Sequence, residues 1–545
     1  MAFEYVVKGN VIKLPVNPDK IAVQFREPSG EPERRAVIDP KPEVGSFDDR
    51  YEVPNEKLTV VDVARSSGPG PMRVAAAAGA LNADPEVERA SPVFDLGSKQ
   101  VVAPNRIIVG FKPEANERAA QIIRDCGGEV VRLLGDGNEY VLRLSPLADP
   151  FDVIATLTKY PEVEYAEPDF ITIGLHRPRN VPPGESGGVP DPEPPAPTDA
   201  NGGGTGGRVG VGPEGVGPNA PGDDPLLKFQ YAARITRAVE AWQMVAGSRA
   251  VKIAILDEGV DAGHPDLREA IAGSYDAVDS DANQQPNPWD AHGTACAGLA
   301  AAIPQNGRGV RGIGGGCSLM AVRIAYSKSK GDAWVWVEQN VVGAIDWAWR
   351  NGADVLSNSW GGGAPSNAII NAFERARTKG RGGLGCVIIV AAGNDSGPVD
   401  FPGKLDTVLT VSASNEFDEP KTKTGADGET WWGSNFGPPV DVAAPGVHNY
   451  TTDIVGADGY NDGGATGGDY VTNFNGTSSA TPIVAGLAGL ILSSNPSLRE
   501  SQVRRLIKET ADKVGQIVYT NGRNDQMGHG RVNALRAVQL APSFV

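Results

Sequence analysis

The stretch Asn475-Gly476-Thr477-Ser478-Ser479-Ala480-Thr481-Pro482 continues into the apolar run Ile483-Val484-Ala485-Gly486-Leu487-Ala488-Gly489-Leu490-Ile491-Leu492. A turn of small residues thus opens a helix meant for burial, and the domain around it has to be one that encloses such a helix. Gly476 lets the backbone turn tightly. Ser478 falls in the first helical turn, where free N–H groups and the positive dipole end favour negative charge nearby. Pro482 fits a helix only near its start. A nucleophilic hydroxyl would be well seated here. Taken alone, the turn reads first as a simple helix cap, so the rest of the chain decides between the two.

From Asp224 onward, short Val/Ile runs alternate with helical patterns. Val251–Leu256, Ser318–Ile324, Val355–Ser359, Val387–Ala391 and Val408–Ala413 read as buried parallel strands. Gly331–Asn351 and Ala368–Lys379 read as helices between them. The alternation predicts an α/β domain: a mostly parallel central sheet flanked by helices, joined by right-handed crossovers. Function in such sheets gathers at the C-terminal strand ends.

Three further residues stand at such places. Asp257 follows the strand Val251–Leu256; a carboxylate there is either a turn cap or a group that needs a partner. His292 opens an Ala/Gly-rich helical stretch, Asp290-Ala291-His292-Gly293-Thr294-Ala295-Cys296, and is one of only five histidines. A lone histidine is usually structural, but the small residues after it permit close backbone approach. Asn394 ends Val387–Ala391 through Ala392-Gly393 and reads as a turn residue or as an amide donor. Acyl transfer needs a hydroxyl nucleophile, an imidazole base, a carboxylate to hold the imidazole tautomer, and donors for an oxyanion. All four types occur here, each at a strand end or helix start.

These motifs, His-Gly-Thr, Ala-Gly-Asn and Gly-Thr-Ser-x-Ala-x-Pro, resemble those of the subtilisin-like serine proteases, in the chain order Asp, His, Ser. The resemblance spans 224–545, through Gly530-Arg531-Val532-Asn533-Ala534. It implies a serine endopeptidase with Ser478 as nucleophile, His292 as base, Asp257 orienting His292, and Asn394 with the Ser478 N–H as oxyanion hole. Ser357-Asn358-Ser359-Trp360-Gly361-Gly362 resembles the segment that pairs with an extended substrate, with Ser359, Trp360 and Gly361 as contacts. The stretch Asp395 to Gly403 resembles the wall of the pocket for the residue before the cut. There Asp400, with Asp395, favours Arg or Lys, or else forms a solvated acidic loop.

Two positions depart from the family. Glu258 stands where Ser or Thr is usual; it either raises the histidine pKa or, the preferred reading, points to solvent. Ala295 replaces a usual His, and Cys296 after it reads as a small buried residue. The family also implies structural calcium, held by Asp266, Asn306 and the carbonyls of Pro304, Arg308 and Val310. A second acidic cluster, Asp276, Asp279, Asp281 and Asp290, reads as a cation site or a solvated loop. No organic cofactor is expected.

Upstream, 1–97 and 98–175 look like two copies of one unit. Pro85-Glu86-Val87-Glu88 precedes Pro92-Val93-Phe94, and Pro161-Glu162-Val163-Glu164 precedes Pro168-Asp169-Phe170. In the second copy the order βαββαβ predicts a ferredoxin-like α+β domain: a strand over 107–111, a helix over 114–126, strands over 129–134 and 139–144, a helix over 149–159 and a strand over 163–173. The first copy has the same ends and a blurred middle. The second copy resembles the propeptide of these proteases, an intramolecular inhibitor, and its Tyr165–Leu175 end would lie across the active site. Residues 176–223 are rich in Pro and Gly and read as an exposed linker, the place for autocatalytic cleavage; the catalytic domain is expected over 224–545.

The bulk composition sets limits. The 545 residues allow two to four domains. A net charge of −17 argues against nucleic acid as a partner. The four cysteines have neither disulfide-framework nor metal-ligand spacing. No membrane span and no secretory signal are visible, so a soluble, monomeric, cytoplasmic zymogen is expected, with export by a non-classical route as the alternative. Protein or peptide substrates and its own N-terminal domains are the expected partners. The rival to a catalyst is a catalytically silent relative that binds extended peptides.

Overall fold

The structure, a computed structural model, describes residues 3–65, 68–174, 224–460 and 467–545. The expected linker over 176–223 lies outside the described residues.

The C-terminal part is built on a seven-stranded sheet in the order Ile271–Asp276, Ser318–Arg323, Lys252–Asp257, Val355–Asn358, Val387–Ala391, Leu409–Ser414, Val442–Pro445. All neighbours are parallel. Its strands are apolar on both faces, as a doubly covered parallel sheet requires. Ile253, Ile255, Val355, Val387 and Ile389 pack on the face of helices His292–Ala301 and Thr477–Ser494. Ala254, Leu256, Leu356, Ile388 and Val390 pack on the other, against helices Glu338–Arg350 and Asn367–Gly383.

Thr477–Ser494 is the central helix. By length and composition it could cross a membrane, although the sequence shows no span, yet it is 89% buried in this core. Small residues are what allow this burial. A Cβ on Gly486 would come within 2.7 Å of the Ala300 carbonyl oxygen, and one on Gly489 within 2.9 Å of Cys317 Sγ.

One expected helix begins differently. Over 331–351, Trp334–Val337 is a strand and only Glu338–Arg350 is helical. Trp-Val-Trp-Val is β-branched and aromatic, and both its edges find partners: Ala325–Ser327 on one side and Ile171–Gly174 on the other.

The N-terminal part contains two βαββαβ units. The first runs Val16–Phe25, Glu31–Ile38, Val44–Val53, Leu58–Val63, Gly70–Asn82, Val87–Leu96; the second runs Arg106–Phe111, Asn116–Asp125, Glu129–Leu134, Glu139–Arg143, Pro150–Leu157, Val163–Pro168. In both, the fourth strand lies beside the first, then the third, then the second. The strand expected to continue to 173 breaks after Pro168. Ile171–Gly174 leaves the second unit and pairs with Lys99–Val102 and with Trp334–Val337. The first unit's sheet therefore extends through these strands into the C-terminal part, eight strands in all.

The second unit is also fastened by carboxylates at helix N-termini. Glu167 accepts the N–H groups of Asn367 and Ala368 at 2.9 and 2.8 Å, and Asp169 accepts that of Gln339 at 2.9 Å. Each satisfies otherwise orphaned helical donors with a negative charge at the positive dipole end.

Candidate active site

Asp257 is the last residue of its strand and is buried. Its two oxygens lie 2.8 and 3.0 Å from His292 Nδ1. A carboxylate accepts only, so Nδ1 carries the proton and Nε2 is left as the basic nitrogen. Burial works against charge on the imidazole, but Asp257 and the Cys296 contact outweigh it and hold the His292 pKa well above the ordinary value. His292 is the first residue of its helix, and its ring meets Phe474 edge-on at 5.5 Å.

Ser478 sits in the first turn of the central helix, behind Gly476 at φ 111°. Pro482 stands four residues on and has no N–H, so the Ser478 carbonyl lacks its intrahelical donor. Ser359 supplies one instead: its hydroxyl donates to the Ser478 carbonyl at 3.0 Å. Cys296 Sγ reaches the same oxygen at 3.5 Å and lies 3.9 Å from His292 Nδ1, so one buried thiol touches both residues. The Ser478 hydroxyl itself donates to the Ser359 carbonyl at 3.2 Å.

Asn394 Oδ1 accepts from the Thr477 N–H and the Thr477 hydroxyl, both at 2.9 Å. The backbone N–H can only donate, so the amide's orientation is fixed and Nδ2 is its donor side. Asn394, Ser478, Ser359, Trp360, Gly361, Asp395 and Asp400 all line one small cavity of about 60 Å³. Trp360 offers that cavity little of its ring, which is buried against Trp336 and Phe373. Asp395 is exposed, while Asp400 is partly buried; burial and then Asp395 raise the Asp400 pKa, against Lys404 and Lys99.

Glu258 corrects the sequence reading. It is buried rather than turned to solvent, and its Oε1 accepts the His292 N–H at 2.7 Å. Opening a helix on His292 leaves that N–H without an intrahelical partner, and Glu258 provides it. Burial pushes its carboxyl up to about 8, with Asp257 adding and His292 opposing. Burial and then Glu258 push Asp290 to about 8 as well.

The ligand-type atoms of Asp257, His292 and Cys296 lie within 4.8 Å of one another. With His292 Nδ1 already bonded to Asp257, the group reads as a hydrogen-bonded dyad with a thiol beside it. The cluster of Asp276, Asp279, Asp281 and Asp290 is dispersed. Arg323 pairs with Asp276 at 2.8 Å and Asp279 at 3.1 Å, and Asp290 accepts the Ser327 N–H instead.

A better cation cradle lies at the loop 304–310. Asp266 is buried and accepts from the Asn306 amide at 2.6 Å and the Val310 N–H at 3.0 Å. Asp224, missed by sequence reasoning, accepts the N–H groups of Gln305 and Asn306. Burial pushes the Asp266 carboxyl to about 7, and Asp224 adds to the rise. Two buried carboxylates thus meet the Asn306 amide at this loop, oxygen-bearing groups of the kind calcium takes. The signal for Asp224 is a carboxylate at the point where linker composition ends, which by itself marks only a boundary. Ser98 and Lys99, which also line the small cavity, gave no signal beyond a polar turn.

A sequence model of the subtilase family matches residues 248–530, and one of the fervidolysin N-terminal prodomain matches residues 95–169. The calcium-dependent protease of Trichormus variabilis is 37% identical over 335 residues, covering 55% of this chain and 48% of that protein. The chain thus spans about half the length of that relative. Thermitase of Thermoactinomyces vulgaris is 34% identical over 320 residues, covering 58% of this chain and 99% of that protein. The crystal structure of fervidolysin from Fervidobacterium pennivorans aligns with a TM-score of 0.58 at 22% identity, over 80% of this chain and 61% of that one. At that identity the likeness concerns the fold alone.

Proposed function

The chain belongs to the subtilase family, and on that premise we propose that it is a serine endopeptidase made as a zymogen. The observation that carries this is the buried Asp257–His292 pair, bonded at 2.8 Å and linked through Cys296 to Ser478. His292 Nε2 takes the Ser478 proton as Oγ attacks the scissile carbonyl, and Asp257 stabilises the imidazolium that forms. Asn394 Nδ2 and the Ser478 N–H receive the oxyanion. His292 then gives its proton to the leaving amine, and water, deprotonated by the same nitrogen, releases the acyl group from Ser478.

The substrate lies extended along Ser359–Gly361 and the Trp334–Val337 edge, held by main-chain hydrogen bonds. In the intact chain Ile171–Gly174 occupies that edge, which supports an inhibitory role for the N-terminal units, the first being a further copy of the prodomain type. Cleavage between about residues 172 and 224 by the chain's own active site releases them. Asp224, Asp266 and Asn306, with the carbonyls of Pro304, Arg308 and Val310 that the family resemblance implies, would hold calcium, which there would tie the loop 304–310 to the start of the domain.

The test is casein hydrolysis by wild type and Ser478→Ala side by side. Wild type is expected to shorten to a catalytic fragment and digest casein, and Ser478→Ala to stay full length and inert. Casein hydrolysis retained in Ser478→Ala would overturn the reading. For the metal, chelator is expected to lower the melting temperature and calcium to restore it; equal melts with and without chelator would remove calcium from the account.

A further inference from the structure

Strands Val87–Leu96 and Lys99–Val102 form a hairpin closed by Gly97-Ser98 alone, with Leu96 opposite Lys99. Gly97 has φ 60°, which suits a two-residue hairpin turn. This tip reaches the cavity that carries Ser478 and Asn394. The Ser98 hydroxyl donates to Asp395 at 2.9 Å. The Lys99 stem runs through a slot between two glycines: a Cβ on Gly174 would come within 2.2 Å of Lys99 Cδ, and one on Gly362 within 2.9 Å of Lys99 Cγ. Asp400 lies on the wall of the same cavity and feels the Lys99 charge. The hairpin is held in place along its length, because Lys99–Val102 pairs with Ile171–Gly174, which pairs with Trp334–Val337. What remains open is about 60 Å³, far below the ~300–1,000 Å³ of a working ligand pocket.

We propose that the Gly97-Ser98-Lys99 turn is a built-in plug of the pocket for the substrate residue before the cut, with Lys99 standing in for that residue. The pocket walled by Asp395 and Asp400 accordingly selects lysine. This rests on the endopeptidase reading and adds two things to it. One is an inhibitory contact separate from the Ile171–Gly174 strand. The other is a substrate class: proteins cut after Lys. Asp400, partly shielded from water, favours a cation over a neutral side chain, which would leave its charge without a counter-charge, and the exposed Asp395 adds to the negative potential.

Two measurements test it. First, a serine-directed fluorophosphonate is added to the full chain and only label on the full-length band is counted. Lys99→Met keeps the stem and removes the charge; Lys99→Ala removes both. Both are expected to label at least about tenfold faster than wild type, Lys99→Ala most, and Lys99→Arg to stay near wild type. Equal rates in wild type, Lys99→Met and Lys99→Ala overturn the plug. Second, the processed enzyme is given two fluorogenic peptides that differ only in Lys or Leu before the cut. The Lys peptide is expected to lead by at least about tenfold in kcat/KM, and Asp400→Asn to erase most of that lead. A Leu preference in wild type overturns the specificity. If processed wild type takes no label, the endopeptidase reading itself fails; label without Lys preference fails only the present inference.

Discussion

At the scale of single residues, three features make the site: the hydroxyl in the first turn of a helix, the imidazole opening another, and the carboxylate ending a strand. These were legible in the sequence because each sits where a strand or helix ends, and such ends are marked by Gly and by the loss of apolar pattern. Asn394 is the clearest case for measurement. With its oxygen bonded twice to Thr477, only Nδ2 serves the oxyanion. Asn394→Ala is expected to lower kcat by about 10²–10³ with little change in KM; peptide kinetics check this. Glu258 was not legible, since a sequence cannot say which way a carboxylate beside a strand end will turn. It turns inward, and its pKa of about 8 has a consequence for stability. In the folded protein it keeps its proton to about pH 8, while unfolded it loses it near pH 4.5. The unfolded state thus binds fewer protons across that window, and stability falls as pH rises from about 4.5 to 8. Asp257, His292, Asp290 and Arg323 face it, and of these His292 and Asp290, whose own pKa values are raised, contribute slopes of their own. Glu258→Gln, which still offers an oxygen to the His292 N–H, is expected to make the fall of melting temperature between pH 5 and 8 measurably shallower.

At the scale of elements, the central helix shows how local chemistry and packing agree. Pro482 removes one helical hydrogen bond and thereby frees the Ser478 carbonyl for Ser359. Gly486 lets the helix approach the backbone at Ala300 and Gly314. Gly486→Ala gains about 1 kcal/mol of helix propensity but forces a methyl against rigid backbone atoms at 2.7 Å, which costs about 1–3 kcal/mol. A lower melting temperature, by a few degrees, is expected. Gly79, in helix Gly70–Asn82, has nothing within 4 Å of its Cβ position. Gly79→Ala is therefore expected to hold or raise the melting temperature. The strands of the parallel sheet were legible because both faces are buried and each reads as a continuous apolar run. Trp334–Val337 was not, because it runs into a helix without a turn residue between them, and one of its two strand partners, Ile171–Gly174, lies more than 150 residues away in the sequence.

At the scale of the whole molecule, the N-terminal units are joined to the catalytic domain by a shared sheet and by buried carboxylates, neither of which a sequence displays. One of these contacts ties assembly to pH. The Ser366 hydroxyl lies 3.0 Å from Glu167 Oε1 and 2.7 Å from Glu338 Oε1, and it accepts the Ile369 N–H. One hydroxyl has one proton to give, so one of the two carboxyls carries its own. Burial and the mutual repulsion of the pair raise the Glu338 pKa well above the ordinary value; Glu167 is raised by burial. Asp169, Tyr5 and Tyr165, which also face them, add no positive charge, and Arg106 is engaged by Asp169 and Glu56. Release of the N-terminal units would part Glu167 from Ser366 and Glu338, remove the repulsion within the pair and let that proton go. Release is therefore expected to become easier as pH rises above about 4.5, by up to about tenfold in affinity per pH unit while one proton is exchanged. Titrating inhibition of the processed enzyme at pH 6, 7 and 8 checks this. Glu338→Gln, whose amide donates permanently, should flatten the slope.

All of these expectations stand on Ser478 being a nucleophile with His292 as its base. The most direct measurement is the mass of the peptide that carries residue 478 after wild-type chain, incubated until its processing stops, is treated with a fluorophosphonate. The account predicts a single phosphonyl adduct on Ser478, absent from a His292→Ala sample treated for the same time. No adduct in wild type, an adduct on another residue, or equal labelling in His292→Ala would contradict it.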